Sequence, residues 1–225
     1  MARILVTGAS RGIGLELCKQ LAARGDEVIA ACRRSNEALA ALDVSVVEGI
    51  DVTRAESMDQ LAGAVDRPLD TLVLNAGILV RETIDSLDFD MMRAQFEVNA
   101  MGPLRVVQAL RSRLHAGAKV AIITSRMGSI ADNTSGRMYG YRMSKAAVNI
   151  AGVSLAHDLL EQGVSVQLLH PGSVRTDMTG GHGMVEADFS VRGLIERIDA
   201  MSMQNTGTFW HAQGETLPWL SLIHI

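Results

Sequence analysis

Tyr141 and Lys145 stand four residues apart, a phenol and an ammonium one helical turn from each other. On a helix, side chains at that spacing share a face, with Cβ atoms roughly 5–6 Å apart. A free tyrosine titrates near pKa ~10, too high for efficient proton exchange at neutral pH. A nearby cation favours the phenolate and lowers that value. The pair is therefore expected to move a proton, with Tyr141 as the acid and Lys145 as the charge that tunes it. Tyr139 is not at helical spacing from Lys145 and is the weaker candidate. Ser125 follows the apolar run Val120-Ala121-Ile122-Ile123-Thr124. A hydroxyl at the carboxyl end of such a strand points into the crevice where open α/β sheets take ligands, and there it would hold a substrate oxygen.

A second feature could hold a dinucleotide. Arg3-Ile4-Leu5-Val6 reads as a buried strand, and Ile13, Leu17 and Leu21 recur on one helical stripe that Gly25 can stop. Between them lies Thr7-Gly8-Ala9-Ser10-Arg11-Gly12-Ile13-Gly14. Gly8 permits a tight turn, Gly12 lets backbone approach a pyrophosphate, and Gly14 lets the helix pack close to the strand. Free N–H groups at the helix start would face the anion. The plain alternative is an incidental glycine-rich turn. The next strand, Glu27 to Cys32, decides between cofactors. NAD binders usually end it on an acidic residue that holds the ribose 2′-OH. Here Arg33 and Arg34 follow Cys32, and Arg11 adds a cation from the glycine turn. Guanidinium groups pair with a phosphate, so the pattern favours NADP(H), unless these arginines are only solvated surface charges.

Together with Asn75-Ala76-Gly77, these motifs resemble the short-chain dehydrogenase/reductase family over essentially the whole chain. The resemblance makes Asn99, Ser125, Tyr141 and Lys145 the catalytic set. It assigns to the cofactor Gly8, Ser10, Arg11, Gly12, Ile13 and Gly14, then Arg33, Asp51 and Val52, then Asn75, Ala76 and Gly77. Tyr141 and Lys145 also touch it, and Pro171, Gly172, Val174 and Thr176 follow the sixth strand. Asp51 would contact adenine, although it could equally cap the helix beginning near Arg54. Val174 and Thr176 would place the nicotinamide carboxamide, and Lys145 would bind the nicotinamide ribose. Stretches such as Ser125 to Ile130 and Tyr139 to Lys145 are most similar to small carbonyl reductases related to C-factor and sniffer.

Asn99 also carries a physical argument. Asp88 to Arg113 reads as one long helix, yet Pro103 cannot donate to the carbonyl of Asn99. That carbonyl must find another donor, water being the natural one. In the family an asparagine here holds a water that relays protons to the lysine. A simple packing kink is the alternative.

The elements that must position these residues alternate strand and helix. Strands are expected near 2–7, 27–32, 44–48, 71–75, 118–124, 164–170 and 207–211. The expected fold is a single-domain α/β Rossmann fold, residues 1–225, with a doubly wound seven-stranded parallel sheet and helices on both faces. Residues 177–203, with Thr179-Gly180-Gly181-His182-Gly183 and a helix that Asp188 can cap, are expected as a short substrate lid. Met178 and Met184 could line a pocket there.

Composition narrows the rest. The chain has 225 residues, 48% hydrophobic, with a net charge of −4. That charge disfavours a nucleic-acid partner, and no apolar stretch is long enough for a membrane helix. No signal peptide is read at Met1-Ala2-Arg3, so a cytoplasmic protein with Cys18 and Cys32 reduced in the core is expected. No metal spacing is present among the six histidines. The tail Leu220 to Ile225 is either buried at a subunit contact or foreign to the protein. The helix near 140–161 is apolar nearly all round, with Val148, Ala151, Leu155 and Leu159 beside its inner stripe. A homodimer or homotetramer is therefore expected. The function expected is NADPH-dependent reduction of a small carbonyl compound, or the reverse reaction on an alcohol. The alternative is a non-catalytic NADP(H)-binding sensor on the same fold.

Overall fold

The computed structural model describes residues 1–219, so the tail from Leu220 lies outside the described residues. Seven parallel strands run in the order β3-β2-β1-β4-β5-β6-β7. They are β1 (Arg3–Thr7), β2 (Glu27–Ala31), β3 (Ser45–Val47), β4 (Leu69–Leu74), β5 (Leu114–Ile123), β6 (Ser165–His170) and β7 (Thr208–His211). The order reverses between β1 and β4, which opens a crevice at the carboxyl ends of those strands. This is the single-domain doubly wound sheet that the alternating pattern predicts. β1 and β6 are buried along their full length and β4 at all but Asp70, because helices cover both faces.

Alternate residues of each strand enter different cores. Leu5, Leu72, Val120, Ile122 and Leu168 pack against α3 (Ala55–Ala64), α5 (Gly102–Leu110) and α6 (Tyr139–Asp158). Ile4, Val6, Val73, Ala121 and Leu169 pack against α1 (Gly12–Ala23), α2 (Glu37–Ala40) and α7 (Ala187–Asp199). Val191, Leu194 and Ile198 are buried, so α7 is a core helix. The span expected as a lid therefore divides: its first part, with Met184 85% exposed, is tied back to Ser173 and Arg175 by main-chain bonds of Met184 and Val185, and its second part is a core helix.

Several local expectations are corrected. β5 starts four residues before residue 118, because Leu114 pairs with Leu69 across an irregularity that Gly117, at φ +92°, helps to form. Asp51 does not cap α3. Arg54 occupies that position, and Asp51 Oδ1 accepts from the Thr53 N–H at 2.9 Å and hydroxyl at 2.7 Å. Glu186, not Asp188, precedes α7, and its side chain makes no cap bond. On α6, Val148 and Leu159 face the core rather than solvent. The most exposed apolar residues there are Met143, at 48%, and Ile150, at 66%.

The helix expected over 88–113 is continuous in path but changes pitch. α4 (Phe89–Phe96) runs into a π turn (Glu97–Met101) before α5. The Gly102 N–H bonds the Glu97 carbonyl, five residues back, and Pro103 next in line has no N–H to restore the α pattern. Asn99 sits inside this turn.

Candidate active site

The glycine turn joins β1 to α1 with Gly8 at φ +68° and Gly12 at φ +53°. A Cβ on Gly14 would lie 2.2 Å from the Gly8 carbonyl oxygen, so only glycine lets the helix seat there. Asn75 fastens this turn from β4. Its Nδ2 donates to the carbonyls of Thr7 at 3.0 Å and Gly8 at 3.2 Å. The N–H groups of Asn75 and Ala76 donate in return to Thr7 Oγ1. Arg11 at the start of α1 is extended and supplies no side-chain cap, and no acidic residue lies in the first turn. The helix therefore presents uncapped N–H groups and an unopposed dipole, which is a site for an anion.

Those N–H groups open on a cleft of about 680 Å³. Gly8, Ser10, Arg11, Gly12, Ile13, Arg33, Asp51, Val52, Asn75, Ala76, Gly77, Tyr141, Lys145, Pro171 and Thr176 all line it. Gly14 lies beneath the wall, and Gly172 and Val174 face a neighbouring cleft instead. Arg11, Arg33 and Arg34 line the first cleft, and none of them has a carboxylate within salt-bridge distance among the described residues. Asp51 is held below the usual carboxylate range by its bonds to Thr53 and by the nearby Arg33 and Arg54, which together outweigh its burial.

At the inner end of this cleft the first turns of α6 meet the end of β5. Tyr141 is 8% exposed, whereas Tyr139 is at 36%. Lys145 Nζ lies 5.8 Å from the centroid of the Tyr141 ring and donates to the Ile123 carbonyl at 3.0 Å. Burial lowers the Lys145 ammonium to about 8. Burial pushes the Tyr141 phenol up to about 12, with the nearby Ser125 hydroxyl pulling the other way. The phenol is thus raised where the lysine was expected to lower it, and desolvation is the main cause. Asn99 is buried behind both clefts. Its Oδ1 accepts from the Ile78 N–H at 2.8 Å, and its Nδ2 donates to the Ile78 carbonyl at 2.9 Å and to Ser144 Oγ at 3.0 Å. A Cβ on Gly77 would lie 3.3 Å from Asn99 Oδ1, so that residue too is kept small by a close approach.

The second cleft, of about 800 Å³, adjoins the first. Ser125, Leu79, Met127, Val185 and Phe189 line it, as do Met178 and Met184. At its floor His170 meets His211 edge to face at 5.0 Å. Burial above all, then His211, Arg126 and Lys145, push His170 down to about 3, so it is neutral. Tyr141, Thr124, Pro171 and Thr176 border both clefts. An arginine-lined cradle for a dinucleotide and a more apolar chamber therefore meet beside the Tyr141 phenol. Among the described residues no group of three or more His, Cys, Asp or Glu side chains is placed to hold a metal, and no helix is long and apolar enough to cross a membrane.

A family profile described as short chain dehydrogenase matches residues 2–184. The chain belongs to the short-chain dehydrogenase family. It is 45% identical over 226 residues to a 1-hydroxy-2-glutathionyl-2-methyl-3-butene dehydrogenase of Rhodococcus sp. (strain AD45), covering 97% of this chain and 100% of that protein. Among solved structures it is similar to an NADPH-bound carbonyl reductase from chicken fatty liver, with TM-score 0.90, 30% identity, and 97% and 99% of the two chains covered. It is equally similar in fold to the carbonyl reductase Sniffer of D. melanogaster, with TM-score 0.90, 29% identity, and 97% and 100% covered.

This short-chain dehydrogenase is an oxidoreductase whose site is larger than the motifs alone suggest. Thr7, Ala31, Ile123 and Thr124 line the first cleft beyond the residues read from the motifs. All stand at or just past strand carboxyl ends, a position rule that would have found them. Arg34 lines it as well. Its signal, a second arginine after β2, was visible in the sequence. Asn36 caps α2 through Leu39 and donates to the Ser10 carbonyl at 2.7 Å, tying a helix that no periodicity announced to the glycine turn.

Proposed function

We propose that the protein is an NADP(H)-dependent carbonyl reductase acting on a small ketone or aldehyde. The observation that carries this reading is the buried Tyr141 phenol, near Ser125, at the junction of the arginine-lined cleft and the apolar chamber. The cradle suits the cofactor: uncapped helix N–H groups for the pyrophosphate, Arg11 and Arg33 for the 2′-phosphate, Asp51 and Val52 at the adenine. Lys145 would hold the nicotinamide ribose, and Val174 and Thr176, after the Pro171-Gly172 turn, would seat the carboxamide. When bound, NADPH supplies the hydride. Ser125 orients the substrate oxygen and Tyr141 delivers its proton. Burial keeps the phenol protonated, and the strongly basic oxygen left on the substrate by hydride transfer is what draws that proton off. Lys145, ionised below about 8, then stabilises the phenolate that remains. The NADPH-bound chicken reductase supports the choice of cofactor.

The alcohol-oxidising direction is a second reading, favoured by the Rhodococcus relative, which is named as a dehydrogenase of a glutathionyl alcohol. The test is NADPH consumption with a panel of ketones, aldehydes and quinones, alongside NADP⁺ reduction with alcohols that include a glutathione thioether. Turnover with any of them supports an enzyme. NADPH binding without turnover on any of them favours a sensor.

A further inference from the structure

The start of α6 is built against local preference. Gly136, Arg137 and Met138 take φ of +61°, +58° and +51°, a left-handed stretch of which only the glycine is at ease. Tyr141 follows three residues later, so whatever holds this lead-in also places the phenol. Glu82 holds it twice. Its carbonyl accepts the Met138 N–H at 2.9 Å, and its Oε2 accepts the Gly140 N–H at 3.1 Å. The residue is 2% exposed, and no cation balances it among its bonds.

The orientation of Glu82 is fixed by Gln95. The Val80 N–H can only donate, so the amide atom facing it at 3.0 Å is Gln95 Oε1. Gln95 Nε2 is then directed at Glu82 Oε1, 2.6 Å away. Both oxygens of Glu82 accept, one from an amide and one from the helix start. The network presses on the helix itself: a Cβ on Gly140 would lie 2.5 Å from Gln95 Nε2 and 2.8 Å from Glu82 Oε1. We infer that Glu82, oriented by Gln95, is a positioning residue for the reaction, pinning the left-handed lead-in of α6 and so fixing the Tyr141 phenol against Ser125. The inference rests on the reading of Tyr141 as the acid. Glu82 touches neither cleft; it acts through the backbone of Gly140.

A swap tests it. In Glu82→Gln, the introduced NH₂ must face either the Gly140 N–H or the Gln95 NH₂, a donor against a donor. In Gln95→Glu, two carboxylates confront each other. In the double variant the pattern closes again. The amide introduced at position 82 donates to the carboxylate introduced at position 95, and each keeps an oxygen to accept from Gly140 or Val80. With the full chain, kcat at saturating carbonyl and NADPH should fall at least about tenfold in each single variant, since small misplacements of a reacting group are costly. NADPH affinity should stay within about threefold, and the double variant should recover kcat to within about threefold. A Glu82→Gln enzyme with unchanged kcat overturns the proposal, as does a loss that the double variant fails to restore. If the single variants are not recovered folded, the double variant decides alone: normal NADPH binding with kcat down more than about tenfold overturns the clamp. Tyr141→Phe, assayed in parallel, reports on the acid itself. Activity there removes the acid, whereas inactivity there with normal kcat in Glu82→Gln overturns only the clamp.

Discussion

Asn99 Nδ2 donates to Ser144 Oγ across 3.0 Å, joining the π turn between α4 and α5 to the helix that carries Tyr141 and Lys145. Ser144 Oγ donates onward to the Tyr141 carbonyl at 2.8 Å. The side chain of Asn99 is therefore framework, engaged by Ile78 and Ser144. Its main-chain carbonyl is the one that Pro103 cannot bond.

Cofactor choice follows from the arginines after β2. NADPH should exceed NADH in kcat/KM, because a 2′-phosphate gains charge-assisted bonds that NADH leaves unmade. Each such bond is worth about 1.5–3 kcal/mol, so Arg11→Ala with Arg33→Ala should weaken NADPH by at least about a hundredfold and NADH little. Steady-state kinetics with both cofactors checks this, and a preference for NADH would refute it.

Tyr141→Phe keeps the ring and removes the proton. Turnover should fall by about 10²-fold or more, the usual contribution of a positioned acid, while NADPH binding is retained. Near-normal turnover would point to Tyr139 instead.

Lys145 should reduce stability in exchange for function. Its folded pKa, about 8, lies below the ordinary value of 10.5. A depressed folded pKa means the group's stability contribution is present above about 10.5 and is lost as pH falls through about 8. Near neutral pH the buried ammonium thus costs stability, about 3 kcal/mol at most for this shift. Lys145→Met should abolish turnover yet raise Tm near neutral pH, with the gain disappearing above pH ~10.5. Thermal unfolding at both pH values measures it. A lower Tm at neutral pH would show that the bond to Ile123 outweighs desolvation.

A dimer is expected through the outer stripe of α6. Met143 and Ile150 lie two turns apart on it, 48% and 66% exposed, and Met101 on the adjoining π turn is 44% exposed. Apolar area left in water is unfavourable by about 25 cal/mol per Å². Light scattering should give about twice or four times the chain mass of 24.1 kDa. Met143→Glu with Ile150→Glu should bring it down to the chain mass. A parent protein already at 24.1 kDa would refute the expectation.

The sheet was legible in the sequence because parallel strands are short apolar runs between turn residues, and even the exposed edge strand β3 keeps its two valines. The glycine turn and the Tyr141–Lys145 pair were legible for the same reason: both are local, set by spacings of a few residues. Tertiary structure alone decided the rest. Glu82 and Gln95 look like ordinary polar residues until the fold brings them to the start of α6, 58 residues from Glu82. Val148 and Met143 are equally apolar in the sequence, and only the sheet beneath α6 decides that one is core and the other surface. Spacing told that Lys145 is near Tyr141, but not that burial would raise the phenol rather than let the cation lower it. Bonds within a helical turn are written in the periodicity of the chain. Desolvation and long-range polar contacts depend on what the other elements place around a residue, and no local pattern encodes that.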